Sequence, residues 1–81
     1  MKVPRDLSGM ELSQAARRFG YEVVRQTGSH MRLKRYNAGE EQHITIPSHK
    51  SLKIGTLNNI LGVIASQVGI TREKLVEELF Y

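Results

Sequence analysis

Cysteine is absent from the chain. That excludes disulfides, zinc–thiolate sites and thiol catalysis. Long hydrophobic runs are also missing, and no stretch has the length of a membrane span. The opening Met1-Lys2-Val3-Pro4-Arg5-Asp6 lacks the apolar run of a secretory leader. The cytoplasm is therefore the expected compartment, with no membrane partner. The seven glycines match neither a dinucleotide fingerprint nor a phosphate loop. The carboxylates are scattered, and no His/Asp/Glu cluster has metal-ligand spacing, so neither a metal nor another cofactor is expected. No Ser-His-acid set is legible, and there is no internal repeat, linker or low-complexity segment.

What remains is an ordinary globular composition. The 81 residues are 25% charged and 40% hydrophobic. They make a single domain over residues 1–81, with a core large enough to fold alone but not to be very stable. The formal net charge is +4, and its distribution is uneven. Between residues 25 and 53 lie Arg25, Arg32, Lys34, Arg35, Lys50 and Lys53, against only Glu40 and Glu41. This stretch carries the whole excess and all three histidines. A basic middle between near-neutral ends fits a polyanion partner, nucleic acid or an acidic protein. On charge alone, a solvated basic surface explains it equally well.

Ser8 and Glu11 fit a capping box, with Leu7 and Leu12 as a hydrophobic staple. Leu12, Ala15, Ala16 and Phe19 then recur at helical spacing, so a helix is expected from Gly9 to Phe19, stopped by Gly20. Tyr21 to Gln26 is β-branched and aromatic and reads as a strand. Gly28-Ser29 supplies a tight turn, and His30 to Tyr36 alternates as a second strand. Asn37 to Glu40 is turn chemistry, and Gln42 to Ile46 is a third strand ended by Pro47. A polar loop, Ser48 to Lys53, leads to a helix whose stripe is Leu57, Ile60, Leu61, Ile64 and Val68, stopped by Gly69. Thr71 caps a last short helix carrying Leu75, Val76, Leu79 and Phe80. Gly55 and Gly62 weaken the second helix.

The expected fold class is α+β: α-β-β-β-α with a three-stranded antiparallel meander, both long helices on its one apolar face, and an extra short C-terminal helix. Met31, Leu33, Ile44 and Ile46 belong to the apolar face. His30, Arg32, Lys34, His43 and Thr45 belong to the other, which stays open.

Strand alternation thus sets an imidazole beside two cations. A phosphodiester needs cations for its oxygens and a base for the attacking hydroxyl, and this strand face offers both. A lone histidine is more often structural or solvated; Arg32 and Lys34 shift the balance for His30. His49, with Lys50 and Lys53 nearby, is either a phosphate or proton-transfer group or a plain loop side chain. His43 reads as an ordinary strand residue and Tyr36 as packing at a strand end, although a tyrosine can stack on a base. Arg17 and Arg18 read as a solvated face.

At Gly28-Ser29-His30 the chain resembles the HicA family of toxin ribonucleases from bacterial toxin–antitoxin pairs. Ser8 to Tyr21 is similar to that family's opening helix. Ile46-Pro47-Ser48-His49 resembles its Val-Pro-x-His element, and Gly55-Thr56-Leu57-Asn58-Asn59-Ile60-Leu61 its Gly-Thr-Leu-x-x-Ile-Leu helix. The tail from Thr71 to Tyr81 matches poorly. The resemblance implies a fold like a double-stranded-RNA-binding domain and cleavage of mRNA without a ribosome. It also implies neutralisation by a HicB-like antitoxin and a catalytic histidine at His30. Gly28, Ser29, Arg32, Lys34, His49, Lys50 and Lys53 are then the expected RNA-binding residues. A non-catalytic RNA-binding module of the same fold, or a protein-interaction domain with an acidic partner, are the other readings.

Overall fold

A computed structural model describes residues 3–81. Met1 and Lys2, the first residues of the stretch read above for a leader, lie outside the described residues. The elements run α1 (Gly9–Ala16), β1 (Glu22–Thr27), β2 (His30–Asn37), β3 (Glu40–Pro47), α2 (Ile54–Val68) and α3 (Arg72–Phe80). The strands form one antiparallel sheet in the order β1-β2-β3. The fold is therefore α+β with the expected α-β-β-β-α order and an added C-terminal helix. Among the described residues, no single helix is long and apolar enough to cross a membrane.

Both halves of the capping box form. The Ser8 hydroxyl accepts from the Glu11 N–H, and the Glu11 carboxylate accepts from the Ser8 N–H, each at 3.0 Å. The α-helix stops at Ala16, sooner than Phe19. Arg17 to Phe19 tighten into a 3-10 turn, closed by a bond from Gly20 N–H to the Arg17 carbonyl. Tightening satisfies carbonyls that the end of a helix otherwise leaves free.

Tyr21 was expected in the first strand but precedes it and is fully buried. Its hydroxyl donates to Gln67 Oε1 at 2.6 Å, and Gln67 Nε2 donates to the His43 carbonyl at 2.9 Å. Burial raises the Tyr21 phenol above its usual pKa, with Arg35 opposing. Arg35 is a clamp for this corner. It donates to the carbonyls of Phe19 and Gln67, both at 3.0 Å, and to Gln42 Oε1 at 2.6 Å. One of the cations counted in the basic stretch thus holds the fold together.

The core collects Leu12, Ala16, Tyr21, Met31, Leu33, Ile46, Leu61 and Ile64, with Leu75 and Val76 from α3. The helices cover β2 and β3 better than β1, whose six residues are all exposed. The pairing slips by one residue between Val23 and Arg25, a bulge of the kind found on edge strands. β3 is longer than the expected Gln42–Ile46, because the hairpin pairs down to Asn37–Glu40 and leaves only Ala38-Gly39 as the turn.

Candidate functional site

Register decides what shares the open face. His30 pairs with Thr27 on one side and Pro47 on the other. The next row is Arg25, Arg32 and Thr45. After it come Glu22, Lys34 and His43, then Tyr36 opposite Glu41. Residues paired across strands point to the same side. The face is therefore basic at the Gly28-Ser29 turn and acidic at its far end.

His30 starts β2 directly after a two-residue turn. Gly28 has φ of +58°, a conformation glycine adopts without penalty, at the first turn position. The turn is anchored from outside. Ser48 donates to the Ser29 carbonyl twice, from its N–H at 2.6 Å and its hydroxyl at 3.2 Å. The loop carrying His49 is itself pinned to the start of α1, where Gly9 N–H donates to the His49 carbonyl at 2.9 Å. Leu52 N–H donates to the Leu7 carbonyl at 2.8 Å. Gly9 is buried here, and a Cβ on it would stand 1.7 Å from the Pro47 carbonyl oxygen. Helix α1 and the end of β3 thus meet backbone to backbone, and that contact sets the loop beside the turn.

A shallow depression of about 190 Å³ lies at the basic end, lined by Arg25, Thr27, His30, Arg32 and Thr45. Among the described residues, the Arg25 side chain has no hydrogen bond or ion pair in the protein. Arg32 Nε donates over a long 3.4 Å to His43 Nδ1. An accepting Nδ1 puts the ring proton on Nε2, which faces Glu41 Oε2 at 3.2 Å. Glu41 also takes the Tyr36 hydroxyl at 3.2 Å and lies 3.6 Å from Lys34 Nζ. These neighbours, His43 first, hold its carboxyl below the usual glutamate pKa. Lys34 is held above the usual lysine pKa by Tyr36 and then Glu41.

The structure thus brings together His30 and Arg32 of the expected set. It places Lys34 two rows away from His30, over the Tyr36 ring and beside Glu41. His49, Lys50 and Lys53 are exposed on the pinned loop but do not line the depression. Arg25 was not singled out from the sequence. Counting back across the two-residue turn pairs Thr27 with His30 and Arg25 with Arg32, so the signal was there. Glu41 and its clamp on Lys34 needed the full β2–β3 register. Among the described residues, no group of three or more histidines and carboxylates is placed to hold a metal ion.

The model of the HicA toxin of bacterial toxin–antitoxin systems matches residues 9–70. The match runs from the first residue of α1 past the end of α2 and includes the whole depression. The chain belongs to the HicA toxin family. No curated protein and no solved structure matches it. Membership makes this HicA chain the toxin of a pair and implies an antitoxin partner. Helix α3 lies outside the matched region.

Proposed function

We propose that this HicA chain is a metal-independent endoribonuclease that cleaves mRNA and is silenced by a HicB-like antitoxin. The observation that carries the proposal is the solvent-open imidazole of His30 beside Arg25 and Arg32 in one depression. Membership of the toxin family and the basic end of the open face support RNA as the substrate.

The arrangement suits transesterification. His30 takes the proton of a ribose 2′-hydroxyl. The 2′-oxygen attacks phosphorus, a P–O2′ bond forms and the P–O5′ bond breaks. The products are a 2′,3′-cyclic phosphate and a 5′-hydroxyl, whose oxygen takes a proton from water or from the histidine. Arg25 and Arg32 face the non-bridging oxygens, where negative charge accumulates, and guanidinium forks suit phosphate. Gly28 and Ser29 set the turn against the strand. Lys34, His49, Lys50 and Lys53 form an outer ring for flanking phosphates.

The decisive experiment compares purified wild type with His30→Ala on a defined mRNA, in excess EDTA. Wild type should cleave and leave cyclic phosphate ends. The variant should stay folded, because its side chain is exposed, and should not cleave. Cleavage at the wild-type rate by folded His30→Ala refutes the assignment. Loss of wild-type cleavage in EDTA with recovery in Mg²⁺ refutes the metal-free chemistry. RNA binding without any cleavage would leave the non-catalytic module.

A further inference from the structure

A second depression, of about 300 Å³, lies between β3 and α2. It adjoins the first, since Arg32 and Thr45 line both. Its other walls include His43 on β3 and Asn59, Ile60 and Val63 on α2. Two side chains there are left open to solvent. Val63 is 45% exposed although it sits on the helix that supplies much of the core. The Asn59 carboxamide has no hydrogen-bond partner in the protein among the described residues, whereas that of the neighbouring Asn58 is engaged by Arg72.

We propose that this groove holds the nucleobase adjacent to the scissile phosphate of a single-stranded RNA, with Asn59 reading the base edge. The proposal rests on the ribonuclease reading and adds where sequence is sensed. The groove is at the small end of ligand sites, right for one flat ring and too small for an extended cofactor. Its chemistry matches a base. Ile60 and Val63 offer apolar contact to a ring face, and Arg32, which reaches both depressions, offers a guanidinium plane on which unstacked bases pack. A carboxamide donates and accepts at once, the pairing that adenine presents through its amino group and ring nitrogen. The same Arg32 then contacts the phosphate on one side and the base on the other, which fixes the spacing between reading and cutting.

The test uses the full chain carrying His30→Ala, so that RNA survives. The probes are an adenosine hexanucleotide RNA and a ribose-phosphate hexamer without bases. NMR signals of the Asn59 carboxamide and the Val63 methyls should shift with the first and stay in place with the second. Signals of Arg25 and Thr27 should shift with both. Silence at Asn59 and Val63 with base-bearing RNA, or equal responses to the two hexamers, overturns the proposal. In the chain with His30 intact, Asn59→Ala should reduce discrimination among RNAs differing only at the base beside the cut by tenfold or more. Asn59 is exposed and alanine favours helix, so the fold survives the change. Unaltered discrimination overturns the proposal. A wild type that cleaves nothing, yet shows the base-dependent shifts, leaves the groove assigned and removes only the chemistry.

Discussion

At the scale of single residues, Gly9 shows how a position remote from His30 controls it. A methyl group there has no room against the Pro47 carbonyl, and neither backbone can move freely. Gly9→Ala should destabilise by at least the 1–3 kcal/mol typical of overpacking, and should loosen the loop that anchors Ser29. Urea melts of the two proteins check the first effect. Ala38 is the reverse case. It stands at φ +53°, where a Cβ is strained by about 1–2 kcal/mol. Ala38→Asn should stabilise by up to about 1 kcal/mol, because Asn-Gly suits a hairpin turn with two positive φ angles. A lower melting temperature for this variant would contradict that reading of the turn. The cations of the open face should also separate. Arg25→Gln and Arg32→Gln should each reduce the salt dependence of RNA binding by about 0.7 of a unit in log–log slope. Lys34→Gln should reduce it less, since Glu41 already neutralises much of that charge. Equal effects at all three positions would mean that RNA runs the whole length of the sheet. This ranking was not legible in the sequence. Alternation places Arg32 and Lys34 alike, and only the pairing with Glu22 and Glu41 tells them apart.

At the scale of elements, the sequence carried most of the fold because local and global signals agreed. The capping box, the apolar stripes and the glycine stops each name a boundary, and the structure keeps them within a few residues. Two features escaped. The bulge near Val24 has no sequence signature beyond a valine pair, and the exposure of β1 depends on how far the helices reach across the sheet. The terminal helix was read correctly as a capped amphipathic segment, yet the family match stops before it. Its Leu75 and Val76 are fully buried against the rest of the core. Leu75→Ala should therefore cost about 2–5 kcal/mol, a large part of the stability of so small a domain. A chain ending at Ile70 should not fold alone. Near-wild-type urea melts for either protein would make α3 an appendage. The capping box of α1 predicts a pH effect. The Glu11 carboxyl is held below its usual pKa by the Ser8 backbone N–H and then the Ser8 hydroxyl. A depressed carboxyl stabilises the fold above its unfolded-state pKa and loses that contribution as pH falls through the folded value. Glu11→Ala should thus be less stable than wild type at neutral pH, with the gap closing as the pH falls below the usual glutamate range.

At the scale of the whole molecule, one side of the sheet is committed to the core and the other is available. Helices α1 and α2 with α3 close the first side over β2 and β3. The second holds His30, Arg25 and Arg32 at one end and Glu41 at the other, on a chain of net charge +4. An inhibitor acting from the helical side would have to transmit a signal through a closely packed core. An inhibitor laid on the open face needs only to cover the imidazole, and a partner with acidic groups gains speed and selectivity against the basic end. We therefore expect the antitoxin to lie over the turn end of the sheet and the loop from Ser48 to Lys53, setting carboxylates against Arg25 and Arg32. Because Ser48 and Ser29 are bonded to each other, turn and loop should be protected together when the complex forms. Amide exchange on free and antitoxin-bound toxin checks this. Slowed exchange should appear across residues 28–34 and 48–53. Slowing confined to α1 or α3 would show that the antitoxin acts at a distance, and direct occlusion of His30 would have to be abandoned.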